Sequence, residues 1–145
     1  MPIDEVNSPI PYQGSKRKLA PVIARCFPQD FDRLYEPFVG SAAVTLATAA
    51  ARPTARFHID DTSGPLCRLW EQIVSAPDEV SEAYAKLWHE QLDDPRTFYD
   101  STREEFNATG DPHLFLYLLA RCVKAAVRYN AQGEFNQSPD NRRVG

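Results

Sequence analysis

A small-residue turn and two carboxylates are spaced so that they could build one ligand site. The run Leu34-Tyr35-Glu36-Pro37-Phe38-Val39-Gly40-Ser41 reads as a buried strand entering a tight turn and then a helix. A turn of this kind exposes backbone N–H groups, and the helix start behind it favours negative charge. The small residues of Gly40-Ser41-Ala42-Ala43 let a ligand approach the backbone. Asp61 follows about 20 residues later, a spacing at which a carboxylate one strand over meets ribose hydroxyls. Glu36, near the end of the first strand, suits an amine-bearing or cationic ligand better than a phosphate. The same pattern also fits a packing glycine followed by a surface acidic pair, and alone it does not choose between the two.

Two basic stretches could meet an anion. Lys16-Arg17-Lys18 follows a Gly14-Ser15 turn, where most such runs are solvated helix starts but a phosphate or carboxylate contact is also within reach. From Arg121 to Arg143 the basic residues are Arg121, Lys124, Arg128, Arg142 and Arg143, opposed by Glu134 and Asp140. Tyr129, Phe135, Asn130, Asn136 and further amides lie between them. Arginine can hold a guanine edge or a phosphate bidentately, amides can read adenine, and aromatics can stack on an exposed base. A polar loop carrying ordinary surface arginines has the same composition.

The elements that must position these groups follow from apolar spacing. Residues 1–11, with Pro2, Pro9 and Pro11, read as an extended arm. The spacing then predicts a helix over 18–26, a strand over 31–38, an alanine-rich helix over 41–51 and a strand over 55–60. Gly64-Pro65 opens a helix with Leu66, Leu69, Trp70 and Ile73 on one face. A βαβα order at these lengths implies a parallel sheet. The second half changes character, with helices predicted over 78–89, 95–107 and 112–128, then a turn-rich loop or weak hairpin from Asn130 onward. The fold class is therefore α/β, with a partial Rossmann-like sheet and a mainly helical second half. Residues 1–76 form the candidate ligand-holding part and residues 77–145 the helical part. So few strands do not complete a doubly wound sheet, which predicts completion by another chain.

Composition limits the alternatives. The chain has 145 residues, 43% hydrophobic and 25% charged, as expected of a soluble globular domain. A formal net charge of -4 excludes a generic polyanion binder, so any nucleic-acid contact must be local. Cys26, Cys67 and Cys122 are too scattered for a zinc site or a disulfide framework, which predicts no metal and a cytoplasmic location. The first residues are acidic and polar, unlike a signal peptide, and no apolar run approaches membrane-spanning length.

The motifs, taken together, resemble a known family. Glu36-Pro37-Phe38-Val39-Gly40-Ser41 is similar to the donor-binding motif of Dam-like DNA adenine N6-methyltransferases of the D12 class. Tyr12-Gln13-Gly14-Ser15-Lys16 resembles the N-terminal motif that closes over the donor in that family, and Ile59-Asp60-Asp61-Thr62-Ser63-Gly64-Pro65-Leu66 its second-strand motif. The resemblance implies S-adenosylmethionine as donor, held by Tyr12, Gly14, Lys16, Glu36, Phe38, Gly40, Ser41 and Asp61. The run from Arg128-Tyr129-Asn130 through Gly133-Glu134-Phe135-Asn136 to Arg142-Arg143 resembles the opening of the family's target-recognition domain. It implies double-stranded DNA as partner, met by Lys124, Arg128, Asn130, Asn136, Arg142 and Arg143. Where Dam-like members place tyrosine-asparagine-glycine ahead of this arginine, this chain has Val123-Lys124-Ala125, so an intercalating role does not carry over.

One element of the family's chemistry is absent from these residues. N6-methylation needs an extruded adenine whose amino group is aimed at the methyl sulfonium by hydrogen-bond acceptors. The family supplies them from an acidic-or-amide-Pro-Pro-aromatic tetrapeptide, and no such tetrapeptide occurs here. Asp94-Pro95, Asp111-Pro112 and Pro139-Asp140 are the nearest fragments. The resemblance therefore implies no catalytic residue in this chain and a second polypeptide that carries the catalytic loop. A non-catalytic binding or regulatory protein of the same descent, or an inactive truncated remnant, are the competing readings.

Overall fold

A computed structural model describes residues 7–143, so the first six residues of the expected arm lie outside the described residues. The chain divides between Thr62 and Ser63 into two compact units.

The first unit is built around two parallel strands, β1 (Arg33–Glu36) and β2 (Arg56–Ile59). They are shorter than the apolar runs predicted, although hydrogen bonds from Arg56 N–H to Asp32 and from Val39 N–H to Asp60 carry the pairing past both ends. Helix α1 (Ala20–Arg25) precedes β1, and α2 (Ala43–Ala51) joins it to β2. Ala20 packs on Ala43 and Ala47, with Val44 beside them. Alanines at these positions let α1 and α2 approach closely, which explains the small-residue composition of 41–51. The side chains of each strand alternate between faces. Glu36 points to α2, and its partner face carries Arg33 directly opposite Arg56, then Tyr35 against His58 at 5.5 Å. Tyr35 remains 60% exposed, so this second face is uncovered among the described residues.

The second unit is helical. Helices α3 (Gly64–Ser75), α4 (Pro77–Glu90) and α5 (Pro95–Thr109) pack with α6 (Pro112–Arg121). Every residue of α6 from Leu114 to Leu119 is buried, which is the signature of a central helix rather than a one-sided surface helix. Phe106 stacks on Phe115 at 5.3 Å, and Phe98 meets Tyr117 edge-on at 5.5 Å. Asp94 and Asp111 accept hydrogen bonds from the first-turn N–H groups of α5 and α6, each followed by a proline at the first helical position. These Asp-Pro pairs are therefore helix starts.

Helix α6 ends at Arg121, seven residues before the predicted Arg128. The tail displaces it. Asp140 N–H donates to the Arg121 carbonyl at 2.7 Å, Val123 N–H donates to the Ser138 carbonyl at 3.0 Å, and Cys122 bridges antiparallel to Pro139. Backbone partners that helix continuation would have supplied are thus taken by residues from farther along the chain. Lys124 and Ala125 then adopt positive φ of 59° and 49°, a region that L side chains rarely enter.

Candidate functional site

In the first unit the turn after β1 is fixed from three sides. Gly40 and Ala42 have φ of 47° and 54°, so the chain reverses sharply between strand and helix. Ala42 is 1% exposed and holds this left-handed conformation with a Cβ, which costs roughly 1–2 kcal/mol relative to glycine. Gly40 N–H donates to Asp61 Oδ2 at 3.2 Å, tying the turn to the end of β2. Ser8 Oγ donates to the Ser41 carbonyl at 2.8 Å, and the Ser15 and Ser41 hydroxyls bond at 2.6 Å. The segment before α1 is therefore laid against the turn.

The sequence-predicted donor residues converge here. The Tyr12 ring lies 3.5 Å from where a Cβ on Gly40 would sit, an ordinary van der Waals distance. Gly14 takes φ of 81° in a turn closed by Ser15 N–H on the Tyr12 carbonyl, and Lys16 Nζ folds back to donate to the Gly14 carbonyl at 2.7 Å. Lys16 thus braces its own loop in this conformation. Phe38 is 76% exposed beside the turn. Glu36 Oε2 accepts from Thr45 N–H at 3.0 Å and from Thr45 Oγ1 at 2.5 Å, so the first turn of α2 orients its carboxylate. Ser8 and Thr45 are not singled out by sequence reasoning, and Ser15 is read there only as part of a turn. Their only signal there is a hydroxyl near a turn, which is too common to be informative.

The arrangement suits a cationic, ribose-bearing ligand. Two carboxylates stand at the ends of neighbouring strands, beside a turn of small residues, with exposed and half-buried aromatics on either side. That donor set matches the charge of an amine and a sulfonium and the hydroxyls of a ribose. It does not match a phosphate.

In the second unit the predicted DNA residues lie on a short hairpin and its tail, except Lys124, which sits in the 3-10 turn Val123–Ala125 before the hairpin. Tyr129 bridges antiparallel to Phe135, Asn130 N–H donates to the Glu134 carbonyl, and Asn136 N–H donates to the Arg128 carbonyl. Asn130 is committed to this hairpin. Its Oδ1 accepts from the N–H groups of Gln132 and Glu134, and its Nδ2 donates to the Glu134 carboxylate at 2.9 Å. Arg128, Asn136 and Lys124 are exposed, and no ion pair reaches Arg128 among the described residues. Arg142 instead forks onto both oxygens of Asp140 at 2.9 Å, and Arg143 donates to the Ala120 carbonyl. The Arg142 fork holds the Asp140 carboxyl down at about 2.

Beneath the tail, Arg121 is 1% exposed. Its Nε donates to Gln91 Oε1 at 2.5 Å and its Nη1 to the Asp140 carbonyl at 3.0 Å, while the Tyr117 hydroxyl donates a second bond to the same Gln91 oxygen. Arg121 is therefore a buried tie between α4, α6 and the tail rather than part of the exposed basic surface. Burial pushes the neighbouring Cys122 thiol up to about 11. Among the described residues there is no group of acidic, histidine or cysteine side chains that could hold a metal ion, and no helix is long and apolar enough to cross a membrane.

Comparison with known proteins agrees with the family resemblance. Residues 12–143 match the family model described as D12 class N6 adenine-specific DNA methyltransferase. The chain is similar to a DNA adenine methylase of Haemophilus influenzae, 30% identical over 131 residues, covering 86% of this chain and 44% of that protein. It is also similar to the Type II methyltransferase M1.LlaDCHI of Lactococcus lactis subsp. cremoris, 22% identical over 133 residues, with 86% and 44% covered. The chain thus spans less than half the length of these curated relatives. The match across both units, from the Tyr12 loop to Arg143, establishes that the chain belongs to the D12 class of N6 adenine-specific DNA methyltransferases.

Proposed function

We propose that this chain is the donor-binding and DNA-recognition part of a DNA adenine N6-methyltransferase, with the catalytic loop supplied by a second chain. Residues 1–76 hold S-adenosylmethionine, and residues 77–145 begin the target-recognition domain. The observation that carries this reading is the pairing of two complete sequence motifs with one missing one. The Glu36–Asp61 turn and the Arg128–Asn136 hairpin are both formed, whereas no acidic-Pro-Pro-aromatic tetrapeptide occurs in the 145 residues.

The geometry supports a division of labour among these residues. S-adenosylmethionine, when bound, supplies an electrophilic methyl group. Asp61 takes ribose hydroxyls while its hydrogen bond to Gly40 keeps the turn closed. Glu36, oriented by Thr45, takes the amino group of the methionine moiety. The Tyr12–Lys16 loop covers the site. Arg128, Asn136 and Lys124 meet the duplex, with Arg142 and Arg143 nearer the phosphates. The residues that accept hydrogen bonds from the adenine amino group come from the complementary chain, as do the strands that complete the sheet. The assembled enzyme acts in the cytoplasm on double-stranded DNA.

A second reading, a non-catalytic binding protein or an inactive remnant, draws on the same missing tetrapeptide and on Ala42-Ala43 in the turn. Radiolabelled methyl transfer separates the two. The purified chain alone should transfer no label to DNA, and a neighbouring gene product carrying the tetrapeptide should restore N6-methyladenine when added. Transfer by the isolated chain sinks the two-chain account. Donor binding without restoration by any such product favours the non-catalytic reading.

A further inference from the structure

Resting on the reading that the 128–136 hairpin meets DNA, we propose that Asn107 on α5 is the residue that positions it. A two-stranded ribbon is marginal by itself in water and needs an outside support. Inside the hairpin, Asn130 ties the loop to itself. Outside it, Asn107 bonds both backbone groups of one residue. Phe135 N–H donates to Asn107 Oδ1 at 2.8 Å, and Asn107 Nδ2 donates to the Phe135 carbonyl at 3.1 Å. A carboxamide offers a donor and an acceptor side by side in one plane, which is the pattern this peptide edge requires.

The position is otherwise a poor one for asparagine. Asn107 lies near the C-terminal end of α5 on an exposed part of the helix, where alanine would be a better helix former. Among the described residues its side chain makes no hydrogen bond within α5, and both halves of the amide are spent on the hairpin. An open cleft of about 460 Å³, lined by Arg103, Glu104 and Asn136 among others, runs along the same edge. Below it the Phe135 ring, 1% exposed, is set edge-on against Phe106 at 6.1 Å. The ring fixes the depth of the hairpin, and the amide fixes its rotation and register. Because Asn136 N–H pairs with the Arg128 carbonyl, that register also sets where Arg128 and Asn136 project.

Two measurements on the full chain test the assignment. Amide hydrogen exchange should be about tenfold faster in Asn107→Ala at Asn130 and Asn136, whose N–H groups close the hairpin, with the α6 amides unchanged. The melting temperature should fall modestly, because the two lost hydrogen bonds outweigh the helix preference of alanine. Asn107→Asp, which keeps the acceptor and loses the donor, should fall between wild type and Asn107→Ala. In parallel, binding to a mixed-sequence 20-base-pair duplex should weaken about fivefold or more in Asn107→Ala at constant salt. Unchanged exchange at Asn130 and Asn136 overturns the proposal, as does a loosened hairpin with unchanged duplex affinity. If the wild-type chain does not bind the duplex, the DNA reading of the hairpin fails. Exchange then shows whether Asn107 holds the hairpin at all.

Discussion

Replacing Asp61 by alanine tests the proposed donor site against the fold around it. In the folded chain Asp61 accepts a hydrogen bond from Gly40 N–H at 3.2 Å. That bond is long and half-exposed, and its loss should lower stability by only about 0.5–1.5 kcal/mol. A ribose would add two charge-assisted hydrogen bonds to the same carboxylate. Their removal should weaken S-adenosylmethionine binding by roughly 1.5–3 kcal/mol. At 1.4 kcal/mol per factor of ten, the dissociation constant rises about ten- to a hundredfold. Calorimetric titration of S-adenosylmethionine into wild type, Asp61→Ala and Asp61→Asn measures this directly, and a thermal melt of each variant supplies the stability control. Asparagine keeps an acceptor without the charge, so Asp61→Asn should fall between the other two. Equal affinity in all three proteins would refute the assignment and move the ribose site elsewhere. An affinity loss that simply follows the melting temperature would make Asp61 a support for the turn and no more.

Other outcomes follow from the second unit. Arg128→Ala should weaken binding to the recognised sequence by roughly 1–3 kcal/mol with little change in melting, whereas Arg142→Ala, already paired with Asp140, should lower the salt slope of binding by about one at most. A large melting loss in Arg128→Ala without selective loss of cognate binding would make that residue structural. Arg121→Ala removes two buried hydrogen bonds from a charged group and should lower unfolding free energy by roughly 2–4 kcal/mol in chemical denaturation, and a loss under 1 kcal/mol would contradict its burial. Ala125→Gly relieves a left-handed alanine and should raise stability by up to about 1 kcal/mol, read as a higher melting temperature. Iodoacetamide at pH 8 should label exposed Cys26 and spare Cys122 until the protein unfolds. Because folding raises the Cys122 pKa, its neutral burial stabilises fully below the unfolded value of about 8.5, and that contribution is lost as pH rises toward 11.

Local pattern made much of the fold legible. The order of helices and strands through Thr109 follows from apolar spacing, and the proline-led starts of α3, α5 and α6 lie where Gly64-Pro65, Asp94-Pro95 and Asp111-Pro112 mark them. What stayed hidden has a distant partner. The end of α6 is set by Ser138 and Asp140, residues that helical periodicity cannot connect to Arg121 and Val123. Arg121 looked like one more member of a basic surface, because nothing in its neighbourhood shows that Gln91 and the Asp140 carbonyl would surround it. At the turn after β1, the pairing of Gly40 with Asp61 is readable from spacing. Thr45 as the group that aims Glu36 is not, since a threonine in the first turn of a helix usually needs no special explanation.

The in-register pair Arg33 and Arg56 has a consequence for the chain as a colloid. Bare parallel sheets are sticky, yet this one presents two guanidinium groups side by side at its surface. Two molecules meeting through that face would bring four cations together. The repulsion reaches about 30 Å at 0.01 M salt and only about 3 Å at 1 M. Self-association through that face should therefore be weak in dilute buffer and strengthen as salt is added. Exchanging both arginines for valine would remove that dependence and leave the face adhesive under all conditions.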